Sequence, residues 1–290
     1  MLVCSCAAMR RRFFVDKFHG ARAVVRGETA THLTRVLRAS QGQLYELSDG
    51  ESVWLGRVQW AARDEVEFAL VEPIAAPEPS VEIFLLLAIV KFDRMEWCLE
   101  KATELGASEI VPLAAERSTA ALVAASAKRA ARWERILQES AQQSRRLRPP
   151  MLRATMTSAA AFPGCDAELR LLCSEERDAQ PMKLAFAARG GVKREDASGE
   201  SAPVRLHSGL AAFDGAQDPS ARVRPEPAAR VAIAIGPEGG WTEEESRAAV
   251  AAGFCAVSLG ENILRTETAV IAALAVVQYA VNSGSWKRAK

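Results

Sequence analysis

The sequence predicts an α/β chain in two parts: a small β-rich unit over residues 9–75, then a larger unit over residues 80–290 built on a parallel sheet. Three observations carry this expectation. Before residue 75, apolar residues fall in short alternating runs separated by turn signals. After residue 80, strand-like apolar runs alternate with helical patterns. Near the C-terminus, two strands each end at a glycine and feed a helix, an arrangement in which backbone amides can face a ligand.

In the first unit, residues 27–38 place Leu33, Val36 and Leu37 at helical spacing. Asp49-Gly50 suits a hairpin between strands at 44–47 and 52–55, and 66–71 is a further alternating strand. Together these strands suggest a small barrel. Pro73, Pro77 and Pro79 mark a linker. Residues 81–90 then form a continuous apolar strand, as expected when both faces are buried. Met95, Cys98, Leu99, Ala102 and Leu105 make the inner stripe of a helix ending at Gly106, and 109–113 is the next strand. One long helix is expected over 127–147, with Trp133, Ile136, Leu137 and Ala141 turned inward. Residues 168–173 are another strand. The stretch 187–229 is poor in large apolar residues and reads as a disordered or loosely ordered insertion. Residues 1–8 read as an extension ahead of a more natural start at Met9.

Composition narrows the classes. No run approaches the roughly 20 apolar residues of a membrane span, and the first residues lack the pattern of a signal peptide. Six cysteines without a CxxC pair suit a cytoplasmic protein with reduced thiols and no metal site. No P-loop, G-x-G-x-x-G, G-x-S-x-G or HExxH motif is present. Net charge is only +1, but it is unevenly spread. Residues 1–45 hold eight Lys/Arg against two acids, and 126–153 hold eight against Glu134 and Glu139. Two basic stretches, the first with Phe13 and Phe14 among its arginines, suit RNA phosphates and bases.

The C-terminal turns are the most specific signal. The strand Ala232-Ile233-Ala234-Ile235 runs into Gly236-Pro237-Glu238-Gly239-Gly240, and Thr242 with Glu245 then forms a capping box. About 20 residues on, Cys255 to Leu259 reads as a strand ending at Gly260. Glu261-Asn262-Ile263-Leu264-Arg265-Thr266-Glu267-Thr268 follows as a tight turn before an apolar helix over 269–281. This pair of turns resembles the S-adenosylmethionine-binding half of the SPOUT methyltransferases. It is most similar to the family that methylates N3 of a uridine in 16S ribosomal RNA of the small subunit (uracil 1498 type). The stretches Lys91-Phe92-Asp93-Arg94, Glu100 to Gly106 and Glu116-Arg117-Ser118 carry the same resemblance, as do the Arg-Phe-Phe start and residues 32–38.

The resemblance implies a C-terminal α/β trefoil-knot domain that dimerises through its last helix, preceded by a PUA-like, RNA-binding barrel. It implies S-adenosyl-L-methionine held by Glu175, Ile235, Gly236, Pro237, Glu238, Gly239, Gly240, Leu259, Gly260, Ile263, Leu264, Thr266 and Thr268, with Glu176 an alternative to Glu175. Contacts to RNA are implied for Arg10, Arg11, Arg12, His32, Arg35, Arg38, Lys91, Arg94, Arg145 and Arg146, with Gln143 and Ser144 lining the substrate side. Glu104 and Arg117 would hold the site or the fold. Methyl transfer to uracil N3 needs a deprotonated acceptor, so a cation beside it favours reaction. Arg265 is the candidate for that role and Glu267 for the proton acceptor. Two alternatives stay open for Arg265: chemistry, or bracing the turn by pairing with Glu267 or Glu238. Two also stay open for the protein: methylation of another RNA atom such as a ribose 2′-hydroxyl, and a catalytically silent RNA-binding assembly factor.

Overall fold

The structure is a computed structural model and describes residues 11–76, 79–176, 178–190 and 229–283. Arg10, the N-terminal extension and positions 191–228 of the expected insertion lie outside the described residues.

The first sheet contains β1 (Arg12–Phe14), β2 (Arg22–Arg26), β3 (Leu44–Ser48), β4 (Val53–Ala61) and β5 (Glu65–Ile74), in the order β1-β3-β4-β5-β2. The expected hairpin joins β3 to β4. Asp49 Oδ1 accepts the N–H groups of Glu51 (3.0 Å) and Ser52 (2.8 Å), and Gly50 takes φ +89°. Two register shifts bend β4 against β5. At Gly56 a Cβ would lie 2.4 Å from Leu47 Cδ1, so the sheet closes over its own core only because that side chain is absent. Phe13, Leu33, Leu47, Val58 and Phe68 are fully buried in the curl. Among the described residues the edges β1 and β2 do not pair. The result is an open curled sheet where a barrel was expected. Pro73 belongs to β5, opposite Trp54, so the linker starts later than the prolines suggested.

The expected helix at 27–38 is α1 (Gly27–Thr31) continued by a π-helical turn, His32–Val36. That wider turn rotates the face: Leu33 is buried, but Val36 is 64% exposed instead of packed.

The second sheet contains β6 (Val81–Ala88), β7 (Ala107–Ala114), β8 (Met151–Leu152), β10 (Leu169–Cys173), β11 (Gln180–Pro181), β12 (Ala229–Ile235) and β13 (Cys255–Ser258). Its order is β11-β13-β10-β12-β6-β7-β8, all parallel, with β9 (Met156–Thr157) also paired to β7. Both faces of β6 are covered, as its unbroken apolar run requires. Leu85 and Leu87 pack beneath α2 (Phe92–Glu104), α4 (Ala130–Gln143) and α8 (Thr266–Asn282). Leu86 and Ala88 face Phe162, Trp241 and Phe254.

The helix expected at 127–147 is shorter than that: its first three residues form a 3-10 turn (Ala127–Arg129), and α4 stops at Gln143. An unforeseen short helix, α3 (Ala120–Ser126), precedes it. Arg145 adopts φ +54°, incompatible with continuation. The stripe itself is as expected, with Trp133, Leu137 and Ala141 buried. The remaining helices are α5 (Ser158–Ala161), α6 (Met182–Gly190) and α7 (Glu243–Ala251). Thus α6 reaches into the first positions of the expected insertion. Helix α8 begins three residues earlier than expected, so Thr266, Glu267 and Thr268 form its first turn and Arg265 its extended N-cap.

Candidate active site

Parallel pairing brings the C-terminal ends of β10, β12 and β13 side by side. Crevices at that edge of a parallel sheet are where ligands bind in α/β proteins. Each of the three strands supplies one wall.

The turn after β12 is closed by the Gly240 N–H donating to the Pro237 carbonyl at 2.9 Å, with Gly240 at φ +70°. Trp241 folds back beneath it and donates from Nε1 to the Cys173 carbonyl at 2.9 Å. Its ring lies so close that a Cβ on Gly236 would meet it at 3.1 Å. The capping box forms as the sequence implies: the Glu245 N–H donates to Thr242 Oγ1 (3.2 Å) and the Thr242 N–H to Glu245 Oε2 (3.1 Å). Glu245 is 5% exposed, and its other oxygen accepts the Glu116 N–H (3.0 Å) and the Ser158 hydroxyl (2.8 Å). One buried carboxylate therefore fixes α7, α5 and the loop after β7 together. The second turn is tied to the first by the Thr266 hydroxyl, which donates to the Gly236 carbonyl at 3.3 Å.

Between these turns lies a cavity of about 420 Å³, within the range of small-molecule sites. Every residue expected to hold the cofactor lines it except Gly239 and Thr268. Gly239 instead uses its carbonyl to accept from Nη1 of the lining residue Arg117 at 2.7 Å. Thr268 lies on the exposed side of α8. Glu175 and its alternative Glu176 both line the cavity. Lining residues not foreseen include Trp241, Glu243, Val257, Ser258, Glu261 and Asn262. Trp241 follows the glycine pair directly, so an aromatic floor beside a glycine turn was the readable signal. Cys173 also lines the cavity, and burial pushes its thiol up to about 12, keeping it protonated.

Neither catalytic candidate lines the cavity, although both adjoin the lining residue Thr266 in sequence. Arg265 is exposed, does not line the cavity, and makes no ion pair among the described residues. It does not brace the turn through Glu238 or Glu267. Those two carboxylates take Arg94 instead, which pairs with Glu238 and lies 3.9 Å from Glu267. Arg94, expected to face RNA, thus bridges α2, the glycine turn and α8. Glu267 Oε2 is buried and accepts no hydrogen bond from the chain.

The other expected RNA contacts divide sharply. Arg12 is 6% exposed, paired with Glu46 at 2.9 Å and donating to the Arg145 carbonyl at 2.6 Å; it holds the two sheets together. Arg146 donates to the carbonyls of Thr103 (2.9 Å) and Ala107 (2.5 Å), closing the end of α2. Burial and the charge of Arg148 lower its guanidinium to about 10, so it stays charged at neutral pH. Arg145 lies 3.8 Å from Glu46. Phe13 is core, not a base-stacking surface. Ser144 donates to Ser140 within its own helix end. In the second basic stretch, Arg129 and Arg132 pair with Glu96, Arg135 with Glu28 and Arg153 with Glu109. Glu104 pairs with Lys101, away from the site. Arg11, Arg35, Arg38 and Lys91 are exposed, and His32 is half-buried beside Arg35. Among the described residues there is no His/Cys/Asp/Glu cluster for a metal and no helix long and apolar enough to cross a membrane.

This geometry agrees with what the chain is similar to. A family model described as an RNA methyltransferase domain matches residues 77–197 and 205–278. The ribosomal RNA small subunit methyltransferase E of Synechocystis is 31% identical over 254 residues, covering 87% of this chain and 71% of its own length. That of Mycobacterium bovis is 28% identical over 273 residues, covering 91% and 90%. A crystal structure of the Neisseria gonorrhoeae enzyme of that name, bound to S-adenosyl methionine, superposes with TM-score 0.71 at 27% identity, covering 93% of this chain and 97% of that one. A three-walled crevice at the ends of β10, β12 and β13, in a chain so matched over most of its length, places the protein in the ribosomal RNA small subunit methyltransferase E family.

Proposed function

We propose that the protein binds S-adenosylmethionine in the crevice and methylates N3 of a uridine in 16S ribosomal RNA of the small subunit. The observation that carries the reading is the single cavity formed by both glycine-ended turns. Its residues suit that donor. Glycine at 236, 239 and 240 lets Trp241, Arg117 and Glu175 pack directly against the turn, and the acids of the lining match a molecule carrying a sulfonium and an ammonium.

The bound donor supplies a methyl group already activated on sulfur, so the chain's task is placement and charge. Leu259, Ile263 and Leu264 offer apolar contact for an adenine. Arg265, exposed and between the lining residues Leu264 and Thr266, is the cation assigned to stabilise the negative oxygens of a uracil that has lost its N3 proton. Glu267, one residue pair along the same helix end, is the carboxylate assigned to take that proton. Arg94 orients Glu267 and Glu238 by facing both. Exposed Arg11, Arg35, Arg38 and Lys91 would hold the RNA backbone. The PUA-like character of the first sheet, the knot, the dimer through α8 and a cytoplasmic location belong to the same proposal. Tyr279, 73% exposed on α8, supports an interface there.

The test uses small subunits lacking the modification, labelled donor and purified protein. Label should enter 16S RNA at one uridine and create a stop to reverse transcriptase, because an N3 methyl blocks the pairing edge. Label at a ribose, read through by the polymerase, would replace N3 with the 2′-hydroxyl. No donor binding and no transfer, with RNA affinity retained, would favour the silent assembly factor.

A further inference from the structure

Charge is distributed oddly around the crevice. Glu175, Glu176, Glu238, Glu243 and Glu261 all line it, against one basic side chain among the described residues, Arg117. Arg117 reaches in from the loop after β7, and one of its nitrogens donates to the Gly239 carbonyl at 2.7 Å. Its aliphatic stem lies against Gly239, where a Cβ would meet Arg117 Cβ at 3.3 Å. It makes no ion pair among the described residues, although a Cβ on Gly240 would lie 3.1 Å from Glu175 Oε1 and 3.9 Å from Arg117 Nη1. The guanidinium is therefore anchored by one N–H, with its remaining donors uncommitted, in a site otherwise rich in carboxylates.

Arg117 is also held from behind. Glu245 accepts the N–H of Glu116, the neighbouring residue, so the loop that delivers the guanidinium is pinned to the cap of α7. A surface arginine serving no partner would not need such a mount.

We infer that Arg117 is the subsite for the α-carboxylate of the donor's amino-acid tail, so fixing the orientation of the bound donor. This rests on the proposed function, since it assumes the donor occupies the crevice. A ligand with two positive groups and one carboxylate meets five acids and one arginine, and only one orientation puts the carboxylate on the arginine. The opposite orientation sets that carboxylate among acids.

The test is a comparison of two neutral-sulfur ligands by isothermal titration against the full-length protein. S-adenosylhomocysteine keeps the amino-acid tail, whereas 5′-methylthioadenosine lacks it. Arg117→Met preserves the apolar stem against Gly239, and Arg117→Lys preserves the charge. The expected result is a loss of about ten- to hundredfold in affinity for S-adenosylhomocysteine in Arg117→Met. Affinity for 5′-methylthioadenosine should stay within about twofold, and Arg117→Lys should recover part of the loss. Equal losses for both ligands would overturn the inference and make Arg117 a brace for the glycine turn. Unchanged affinity for both would overturn it as well. If the unaltered protein bound neither ligand, the donor reading itself would fall.

Discussion

The glycine turns and the arginine-rich stretches were both conspicuous in the sequence, yet they met opposite fates. Around the turns, nearly every expected residue converges on one cavity. Among the arginines, Arg12 and Arg146 are committed to buried partners, and Arg129, Arg132, Arg135 and Arg153 form ion pairs at the surface. A turn is specified by its own residues, through φ, capping and close approach. A charge is specified by whatever the fold brings opposite it, and that lies far away in sequence. Arg12 and Glu46 are 34 residues apart, and Arg12 and Arg145 are 133 apart.

This contrast can be broken by substitution. The largest effect is expected from Arg12→Ala, which removes the hydrogen-bonded partner of Glu46, itself 7% exposed, and leaves it only Arg145 at 3.8 Å. Stability should fall by about 3–5 kcal/mol in denaturant titration. Arg35→Ala, at an exposed position, should change it by no more than about 0.5 kcal/mol. Comparable effects would mean that burial does not separate the two classes of arginine. Next, Arg265→Ala should lower kcat by about 100-fold while donor affinity changes by less than about threefold. Equal falls in both would reassign Arg265 to holding the turn. Gly240→Val should weaken donor binding more than about tenfold. It forces a branched side chain to φ +70° and towards Glu175; circular dichroism should show the fold retained. For RNA, removing Arg35 should reduce the slope of log affinity against log salt by about 1, whereas Arg153→Ala should leave it unchanged.

A subtler contrast concerns the thiols. Cys98 is fully buried, and desolvation, with a smaller contribution from the charge of Glu267, pushes its thiol up to about 12. It should resist alkylation at pH 8.5 until the protein unfolds.

Legibility followed the same division. The strand at 81–90, the stripe of α2 and the capping box could be read because each pattern is local and periodic. The 3-10 start at Ala127–Arg129 and the helix α3 before it could not, since Ala, Lys and Arg are good helix formers that carry no signal of a change in helix type. Val36 was misread because a π-helical turn shifts the apolar face without altering composition. Arg94 was legible as a functional position but not as a bridge between two carboxylates, because Glu238 is 144 residues away. Trp241 was passed over as a site residue although it adjoins the glycines; its role depends on the Cys173 carbonyl of another strand.

Strand β12 is paired on one side with β6 and on the other with β10, though it enters the chain after both. During synthesis, β6 can join β7 early, but its opposite edge and that of β10 must wait for residues 229–235. Two apolar strand edges are thus held open while the ribosome adds the rest of the chain. The stretch from β12 onward supplies both the keystone of the sheet and two of the three walls of the crevice. A nascent or truncated chain ending before β12 would therefore be both inactive and prone to aggregate, so completion of the catalytic centre and escape from aggregation are one event.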